Sequence, residues 1–498
     1  MSPASSLDPR TPVLVGAGQI THRAAGLDDA LEPAALMAEA ARRAASDAGL
    51  GSVPEVDSIR VVNLLSCKYH DPARFVAEQL GLSPRETAVT TPGGNSPQTL
   101  VNGTALEILR GDLDIALLAG AEAWRSRMRA RKAGVDLPWP TPGEDVQPTR
   151  TLGEDLVMNH ENELARGVYM PVQVYPMFET ALRAADGRTP EEQLVLASEL
   201  WARFSEVAAG NPHAWLQTAR TAEEIRTPSV ANRMIGLPYT KLMNSNNDVD
   251  MGAALLMCSA ETARRLGVPE DRWVFPHSGA DCREHPFMSD RWSFTRTPAV
   301  ELGGKAALDL AGVGIDDIDL IDLYSCFPSA VQLGARSLGL SLDRQLTRTG
   351  GLSFNGGPWN NYVMHAIATM MNDLRERPGE KGLVWGNGGY VTKHSFGVYS
   401  TTPPAAGFRH AHPQDEIDAL PRRTGATAEE AAGPATIEAY TVMHDRDGLP
   451  EQGIASCLLP DGRRAWATTA DSDTAAAMCD GEWVARPVTL SPTGRLHP

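Results

Sequence analysis

Apolar positions in the first 123 residues alternate between short unbroken runs and longer stretches that recur every three to four residues. The first texture reads as buried strand and the second as amphipathic helix. Pro12 to Gln19 predicts a short strand ending in glycines, Leu31 to Leu50 an alanine-rich helix, Val56 to Leu65 a strand and Asp71 to Leu82 a helix. Glu86 to Thr91 and Ile115 to Ala121 add two strands around the stretch Thr90 to Gly111, TTPGGNSPQTLVNGTALEILRG. There a strand runs through paired glycines into a helix. Ser96 is the expected N-cap and Pro97 the first helical residue, since proline gives up only an amide that has no partner there. Positions 100, 101, 103, 105, 106, 108 and 109 are apolar or small nearly all round, as suits a helix covered on more than one side. Strands alternating with helices imply a largely parallel sheet.

From Arg125 to about Met243 the rhythm breaks into proline-rich and acidic segments around Pro138 to Asp155 and a helix-rich stretch from Pro190 to Ala209. This reads as an insertion carried on the α/β unit. A strand over Val249 to Cys258 and a helix over Ser259 to Leu266 restore regularity, and the chain then repeats itself. Asp47-Ala48-Gly49-Leu50-Gly51 leading to Val56-Asp57-Ser58-Ile59 is matched by Asp309-Leu310-Ala311-Gly312-Val313-Gly314 leading to Ile318-Asp319-Leu320-Ile321. The glycine turn is matched by Gly350-Gly351-Leu352-Ser353-Phe354-Asn355-Gly356-Gly357-Pro358, read as a strand passing through glycines to a proline that starts a helix. Two similar α/β halves therefore face each other. After Thr402 comes a polar stretch, then short alternating segments at Thr436 to Met443, Gly453 to Leu459, Arg464 to Thr469 and Trp483 to Leu490, with Asp447-Gly448 and Asp461-Gly462 as hairpin turns. They predict a small antiparallel barrel of the OB type that folds on its own. The expected division is 1–248 with the insertion 125–243, then 249–402, a linker 403–434 and the barrel 435–498.

Length fits this division, because 498 residues allow roughly three domains. Met1 to Arg10 is polar, and no apolar run approaches the ~18 residues of a membrane span, so a cytoplasmic protein with no membrane partner is expected. Cys67, Cys258, Cys282, Cys326, Cys457 and Cys479 are scattered without a Cys-x-x-Cys pair, which signals neither a metal site nor a disulfide framework. A net charge of -17 argues against nucleic acid as a partner. One basic run opposes it, Arg125, Arg127, Arg129, Arg131 and Lys132, which is either a solvated helical face or a receiver for the phosphates of a nucleotide-bearing ligand.

The duplicated halves, the glycine-flanked helix start, Pro238-Tyr239-Thr240-Lys241-Leu242-Met243 before Asp250-Met251-Gly252-Ala253-Ala254, and Tyr324-Ser325-Cys326-Phe327 together resemble the thiolase superfamily. The likeness is to the sterol-carrier-protein-linked thiolases and the thiolase-like acetyl-CoA acetyltransferases. It covers residues 12 to about 402, and the tail from 435 is not the sterol-carrier domain. It implies a five-layered αβαβα fold of two βαβαβαββ halves, a coenzyme A thioester as ligand with no covalently bound cofactor, a role in lipid or acyl-CoA metabolism, and a homodimer, with a monomer as the alternative.

By the same resemblance every catalytic position has changed. Asn95 stands where the family carries its acyl-accepting cysteine, and Tyr324-Ser325-Cys326-Phe327 replaces the motif that orients a water. Gly357 takes the place of the activating histidine, and Val384, in Val384-Trp385-Gly386-Asn387-Gly388, that of the second cysteine. Ordinary thiolysis is therefore not expected. Asn95, Asn355 and the amides at two helix starts remain to polarise a thioester carbonyl, and Tyr324 to move a proton, as in the thiolase-fold steroid side-chain aldolases that work with an OB-fold partner. His394 either replaces the lost histidine or is a buried structural residue, and Cys326 is catalytic or a buried thiol. The expectation is an acyl-CoA-binding acyltransferase-family protein with an altered site, its phosphates near Arg127, Arg129 and Lys132 and its acyl group between Asn95, Tyr324, Asn355 and His394. The alternatives are an aldolase-type C–C lyase on a CoA thioester and a non-catalytic acyl-CoA-binding protein.

Overall fold

The computed structural model describes residues 7–140, 146–469 and 471–498. Parts of the polar leader (1–6) and of the proline-rich segment (141–145), and residue 470, lie outside the described residues. Six strands form the first sheet, in the order Pro12–Thr21, Asp250–Ser259, Ile115–Ala123, Ser58–Val61, Glu86–Thr90, Arg150–Leu152. Five form the second, Leu320–Leu323, Lys381–Gly388, Lys393–Ser400, Phe275–Arg283, Arg409–Ala411. Helices Pro33–Asp47 and Pro72–Leu80 pack on the first sheet, Pro298–Ala311 and Pro328–Leu338 on the second, and Ser96–Arg110 and Tyr362–Glu376 touch both. This is the five-layered αβαβα thiolase fold. Sheets covered on both faces need continuous apolar strands, and Asp250–Ser259 is accordingly buried along its whole length. Among the described residues no helix is long and apolar enough to cross a membrane.

Three local differences from the sequence reading have physical causes. The first strand does not stop at its glycines: a methyl group on Gly16 would lie 2.1 Å from the Ala44 carbonyl oxygen, so glycine there lets the alanine-rich helix approach the strand. Helix Ser96–Arg110 starts one residue early. Asn95 is its N-cap, in a helical conformation with no side-chain cap, and the Ser96 hydroxyl donates to the Thr91 carbonyl at 3.2 Å. In the second half no strand precedes Gly350; the buried loop before it is held by Asp322, whose carboxylate accepts the Arg348 and Thr349 amides at 2.8 and 3.3 Å. Gly350 and Gly351, at φ 99° and 76°, then turn the chain into the short helix Gly351–Phe354, and Pro358 opens a 3-10 turn that runs into Tyr362–Glu376.

The C-terminal strands close into a five-stranded barrel, in the order Gly433–His444, Pro450–Leu458, Arg464–Thr469, Arg495–His497, Pro487–Leu490 and back to Gly433–His444. The fourth expected segment is strand only over Pro487–Leu490; Arg495–His497 and the helix Ser472–Ala477 carried no legible pattern. The barrel has its own apolar interior, while Ala439, Ile454 and Trp466 on its outside join the main core. Arg464, fully buried, donates to the Met288 and Ser289 carbonyls at 2.7 and 3.2 Å and pairs with Glu438 at 2.8 Å. The insertion's strands Met234–Gly236 and Tyr239–Thr240 extend the barrel sheet, and its helix Pro171–Ala185 packs on it. The stretch 403–434, expected as a linker, includes Arg409–Ala411, which pairs with Phe275–Arg283, and the short helix Gln414–Asp418.

Candidate functional site

Two cavities flank the start of helix Ser96–Arg110. The first, about 350 Å3, is largely apolar and lies at the glycine turn, lined by Gly93, Gly94, Met158, Met170, Val172 and Phe327 with Tyr175, Tyr324, Cys326, Asn387 and Lys393. The second, about 380 Å3, is lined by Asn95 and His394 together with Arg60, Glu107, Arg150, Asp281 and Arg283. Lys393 lines both.

The apolar cavity depends on close backbone approaches. A methyl group on Gly94 would lie 2.4 Å from the Tyr324 hydroxyl and 2.4 Å from the Asn387 carbonyl oxygen, so only glycine lets the turn meet the second sheet there. Tyr324 is backed edge-on by Tyr362, whose hydroxyl donates to Asp322 at 3.1 Å. Burial, with Cys326 adding to it, pushes the Tyr324 phenol well above its usual value and keeps it a protonated donor. Burial likewise pushes the Cys326 thiol up to about 12, although the Tyr175 hydroxyl beside it acts the other way. A thiol of that acidity is neither thiolate nor nucleophile at neutral pH. Tyr175 ties insertion to sheet: its hydroxyl donates to the Gly389 carbonyl at 2.9 Å and accepts from Asn387 Nδ2 at 3.0 Å and the Val391 amide at 3.2 Å. Two residues of the lining, Trp359 and Asn387, carry buried polar atoms, Nε1 and Oδ1, without a hydrogen-bond partner. Such atoms are few in native proteins. Trp359 also sits at φ 45°, a backbone region that side chains other than glycine rarely adopt.

The residues singled out in the sequence divide. Tyr324 and Cys326 share the apolar cavity. Asn95 lies at the junction, with Nδ2 donating to Thr99 Oγ1 at 3.3 Å and Oδ1 buried without a partner. His394 faces the charged cavity instead; Trp385 Nε1 donates to its Nδ1 at 3.3 Å, and burial, with Arg291 near, holds it down at about 3, so it is neutral and no replacement for the missing histidine beside Tyr324. Asn355 lines neither cavity: it is fully buried and its Oδ1 accepts from Asn211 at 3.1 Å, which makes it part of the packing. No histidine fits at Gly357, where a Cβ would meet Ser245 Oγ at 2.1 Å, so the chain has filled that space with Ser245 and Asn247. Val384 is mid-strand, paired with Asp322 and Gly397, and the residue of its motif that lines the cavity is Asn387.

The basic run lies on helix Trp124–Ala133. Arg127 and Arg131 line an open cleft of about 400 Å3 with Lys68 and Trp139. Arg127 stands 5.6 Å over the Trp124 ring, which packs edge-on at 4.9 Å against Trp359 of the apolar cavity. Arg129 is turned away, donating to the Ala24 and Ala25 carbonyls at 3.0 and 3.2 Å, and Lys132 is exposed at the helix end. Sequence reasoning missed Tyr175, Trp359, Asn387 and Lys393. Asn387 stood inside a quoted motif, overshadowed by Val384, and Lys393 stood next to His394, whereas Tyr175 is one aromatic on an insertion helix and carried no signal.

Comparison with known proteins agrees with this geometry. Residues 413–495 match the family described as thiolase-like protein type 1 additional C-terminal domain. An acetyl-CoA acetyltransferase of Methanothermobacter thermautotrophicus is 23% identical over 391 residues, 72% of this chain and 93% of the relative. Among solved structures, the Ltp2–ChsH2(DUF35) aldolase superposes with a TM-score of 0.60 at 20% identity, over 79% of this chain and 98% of that one. A monomeric SCP2-thiolase-like protein type 1 from Mycobacterium smegmatis superposes with a TM-score of 0.82 at 34% identity, over 98% of this chain and 99% of that one. With both the duplicated thiolase body and the appended barrel shared along the whole chain, this protein belongs to the type 1 SCP2-thiolase-like proteins.

Proposed function

We propose that this chain binds a coenzyme A thioester with its acyl part in the apolar cavity, and acts on that acyl part by holding its carbonyl and moving protons, without an acyl-cysteine intermediate. The observation that carries the reading is the cavity itself: an apolar space at the glycine turn with a protonated phenol, Tyr324, and an amine, Lys393, on its lining, while an amide, Asn95, stands at the helix start beside it. Cys326, the one cysteine of that lining among the described residues, keeps its proton. A hydrogen-bond donor in a water-poor site stabilises negative charge developing on a carbonyl oxygen. Arg127 is the residue assigned to the phosphates, with Arg131 beside it in the cleft. Arg129 leaves that assignment because both its terminal nitrogens donate to backbone carbonyls, whereas Arg127 gives one to the Leu65 carbonyl and lines the cleft.

A second reading, retro-aldol cleavage of a β-hydroxyacyl thioester, draws support from the same lining: the Lys393 amine would take the hydroxyl proton as the C–C bond breaks, and the Tyr324 phenol, held protonated, would donate to the thioester enolate. As to assembly, the first sheet ends on the three-residue strand Arg150–Leu152, an edge too short to pair well with a second copy, which supports a monomer over the homodimer that the resemblance implies.

Calorimetry with acetyl-CoA and longer acyl-CoAs, followed by incubation with acetoacetyl-CoA and with a β-hydroxyacyl-CoA, tests the reading. Binding, no thiolysis and no covalent acetyl-enzyme by intact mass are the expected results. An acetyl adduct on cysteine overturns it, and binding with no turnover of any ester leaves the non-catalytic acyl-CoA-binding protein.

A further inference from the structure

Lys393 opens strand Lys393–Ser400 at the junction of the two cavities. Its Nζ donates to the Pro92 carbonyl oxygen. Among the described residues it belongs to no ion pair, unlike Arg60, Arg150 and Arg283 in the same lining. Two glycines leave room for it. A Cβ on Gly93 would lie 2.5 Å from Asn95 Oδ1 and 2.9 Å from Lys393 Nζ, and one on Gly388 2.6 Å from Asn95 Oδ1 and 3.2 Å from Lys393 Cε. The amine and the unpartnered amide oxygen of Asn95 therefore stand on one small patch at the mouth of the glycine turn, with Tyr324 across Gly94 from it.

We propose, on the reading that the apolar cavity takes the acyl part of a CoA thioester, that Lys393 Nζ is the proton-transfer group of that cavity. The neutral amine takes a proton from the carbon next to the thioester carbonyl: an N–H bond forms, the C–H bond breaks, and its electron pair passes to the carbonyl oxygen as an enolate. The ammonium returns a proton to the same carbon. No co-reactant is consumed, and in heavy water the cycle writes deuterium into the substrate. Tyr324, held protonated, is the donor positioned in the same lining for the enolate oxygen.

Groups around the amine fit this work. Burial lowers the Lys393 value from its usual one, and Asp155 and Glu154 oppose that in part. Arg283 is paired across from it in the sheet, and Glu154 and Asp418 draw on that guanidinium at 3.5 and 3.6 Å. His394, next along the strand, is neutral, and Asp281 is engaged by His410 at 2.7 Å. A lysine whose value is lowered by burial holds more free amine than an ordinary one at the same pH, which is what a general base needs.

The test is deuterium exchange into the α-carbon of propionyl-CoA in heavy water, read by mass spectrometry, on the full chain and on Lys393→Met and Lys393→Ala. Wild type should exchange, both variants should lose about 100-fold or more while still binding propionyl-CoA by calorimetry, and the wild-type rate should rise through a midpoint below that of an ordinary lysine. Equal exchange in a folded variant, or a wild type that binds propionyl-CoA without exchange, overturns the proposal. A wild type that binds no acyl-CoA overturns the CoA reading instead. The amine is then judged by competitive labelling with acetic anhydride across pH, with exposed Lys132 as internal reference: half-labelling of Lys393 at a lower pH than Lys132 supports it, and coincident midpoints overturn it.

Discussion

The two cavities beside helix Ser96–Arg110 are similar in size and differ in how their charged groups are paired. In the charged one, Arg60 pairs with Glu107 and, at 3.0 Å, with Glu86, while Arg150 reaches Glu107 at 3.0 Å and Glu86 at 3.4 Å. Asp281 accepts from Thr99 at 2.6 Å, His410 at 2.7 Å and Asn102 at 2.8 Å. In the apolar one, Trp359 Nε1 and Asn387 Oδ1 have no partner, as Asn95 Oδ1 and His394 Nε2 have none on the charged side, and Lys393, shared by both linings, belongs to no ion pair among the described residues. The difference teaches which to regard as structure and which as site: charges paired with one another hold helix to sheet, whereas an amine outside any ion pair beside an apolar space is free to meet a ligand.

The largest effect expected is on the charged side. Arg60→Met should cost about 3 kcal/mol of unfolding free energy in denaturant titration, because it takes the buried partner from Glu107 and leaves that carboxylate only the more exposed Arg150, and should leave acyl-CoA affinity unchanged. A loss under about 1 kcal/mol would mean that the network is not structural. Gly94→Ala comes next. Its Cβ meets a backbone carbonyl as well as Tyr324, so stability should fall by about 1–3 kcal/mol and acyl-CoA binding with it; wild-type affinity in this variant would remove the glycine turn from the site. Trp359→Phe should behave in the opposite sense to Arg60→Met: stability holds or rises by up to about 1 kcal/mol, since an unpartnered donor is removed, while affinity falls.

The smallest effect is on pH dependence. Although burial works against it, the hydrogen bonds from His410, Thr99 and Asn102 hold the Asp281 carboxyl below its ordinary value. The unfolded chain then binds more protons than the folded one in the acid range, so this stabilisation is present above about pH 4 and is lost as pH falls through the folded value. His394 acts in the same direction: held at about 3 when folded, it must be charged on unfolding, which costs stability as pH falls from about 6.5. Asp281→Asn should therefore flatten the acid limb of a stability-versus-pH curve, and an unchanged limb would place acid sensitivity elsewhere.

Much of the fold was legible because its physics is local. Strands covered on both faces must be apolar throughout, and the Asp47 and Asp309 repeats mark the same helix exit in each half. Arg495–His497 escaped because three residues carry no period, yet it closes the barrel by joining Arg464–Thr469 to Pro487–Leu490. The site was legible only in part. Asn95 and Tyr324 stood in recognisable positions, but whether a polar atom finds a partner depends on residues hundreds of positions away, as Tyr175 and Asn387 do. Asn355 looked equivalent to Asn95 in sequence, and packing alone separated the two, as it settled the burial of His394.

The most direct test of the central claim is a crystal structure with an acyl-CoA bound. The account predicts the acyl carbonyl in the apolar cavity, its oxygen within hydrogen-bonding distance of the Tyr324 hydroxyl or Lys393 Nζ, with no bond to Cys326 and the phosphates along Arg127. An acyl group lodged in the charged cavity against Arg60 and Asp281, or joined covalently to Cys326, would contradict it.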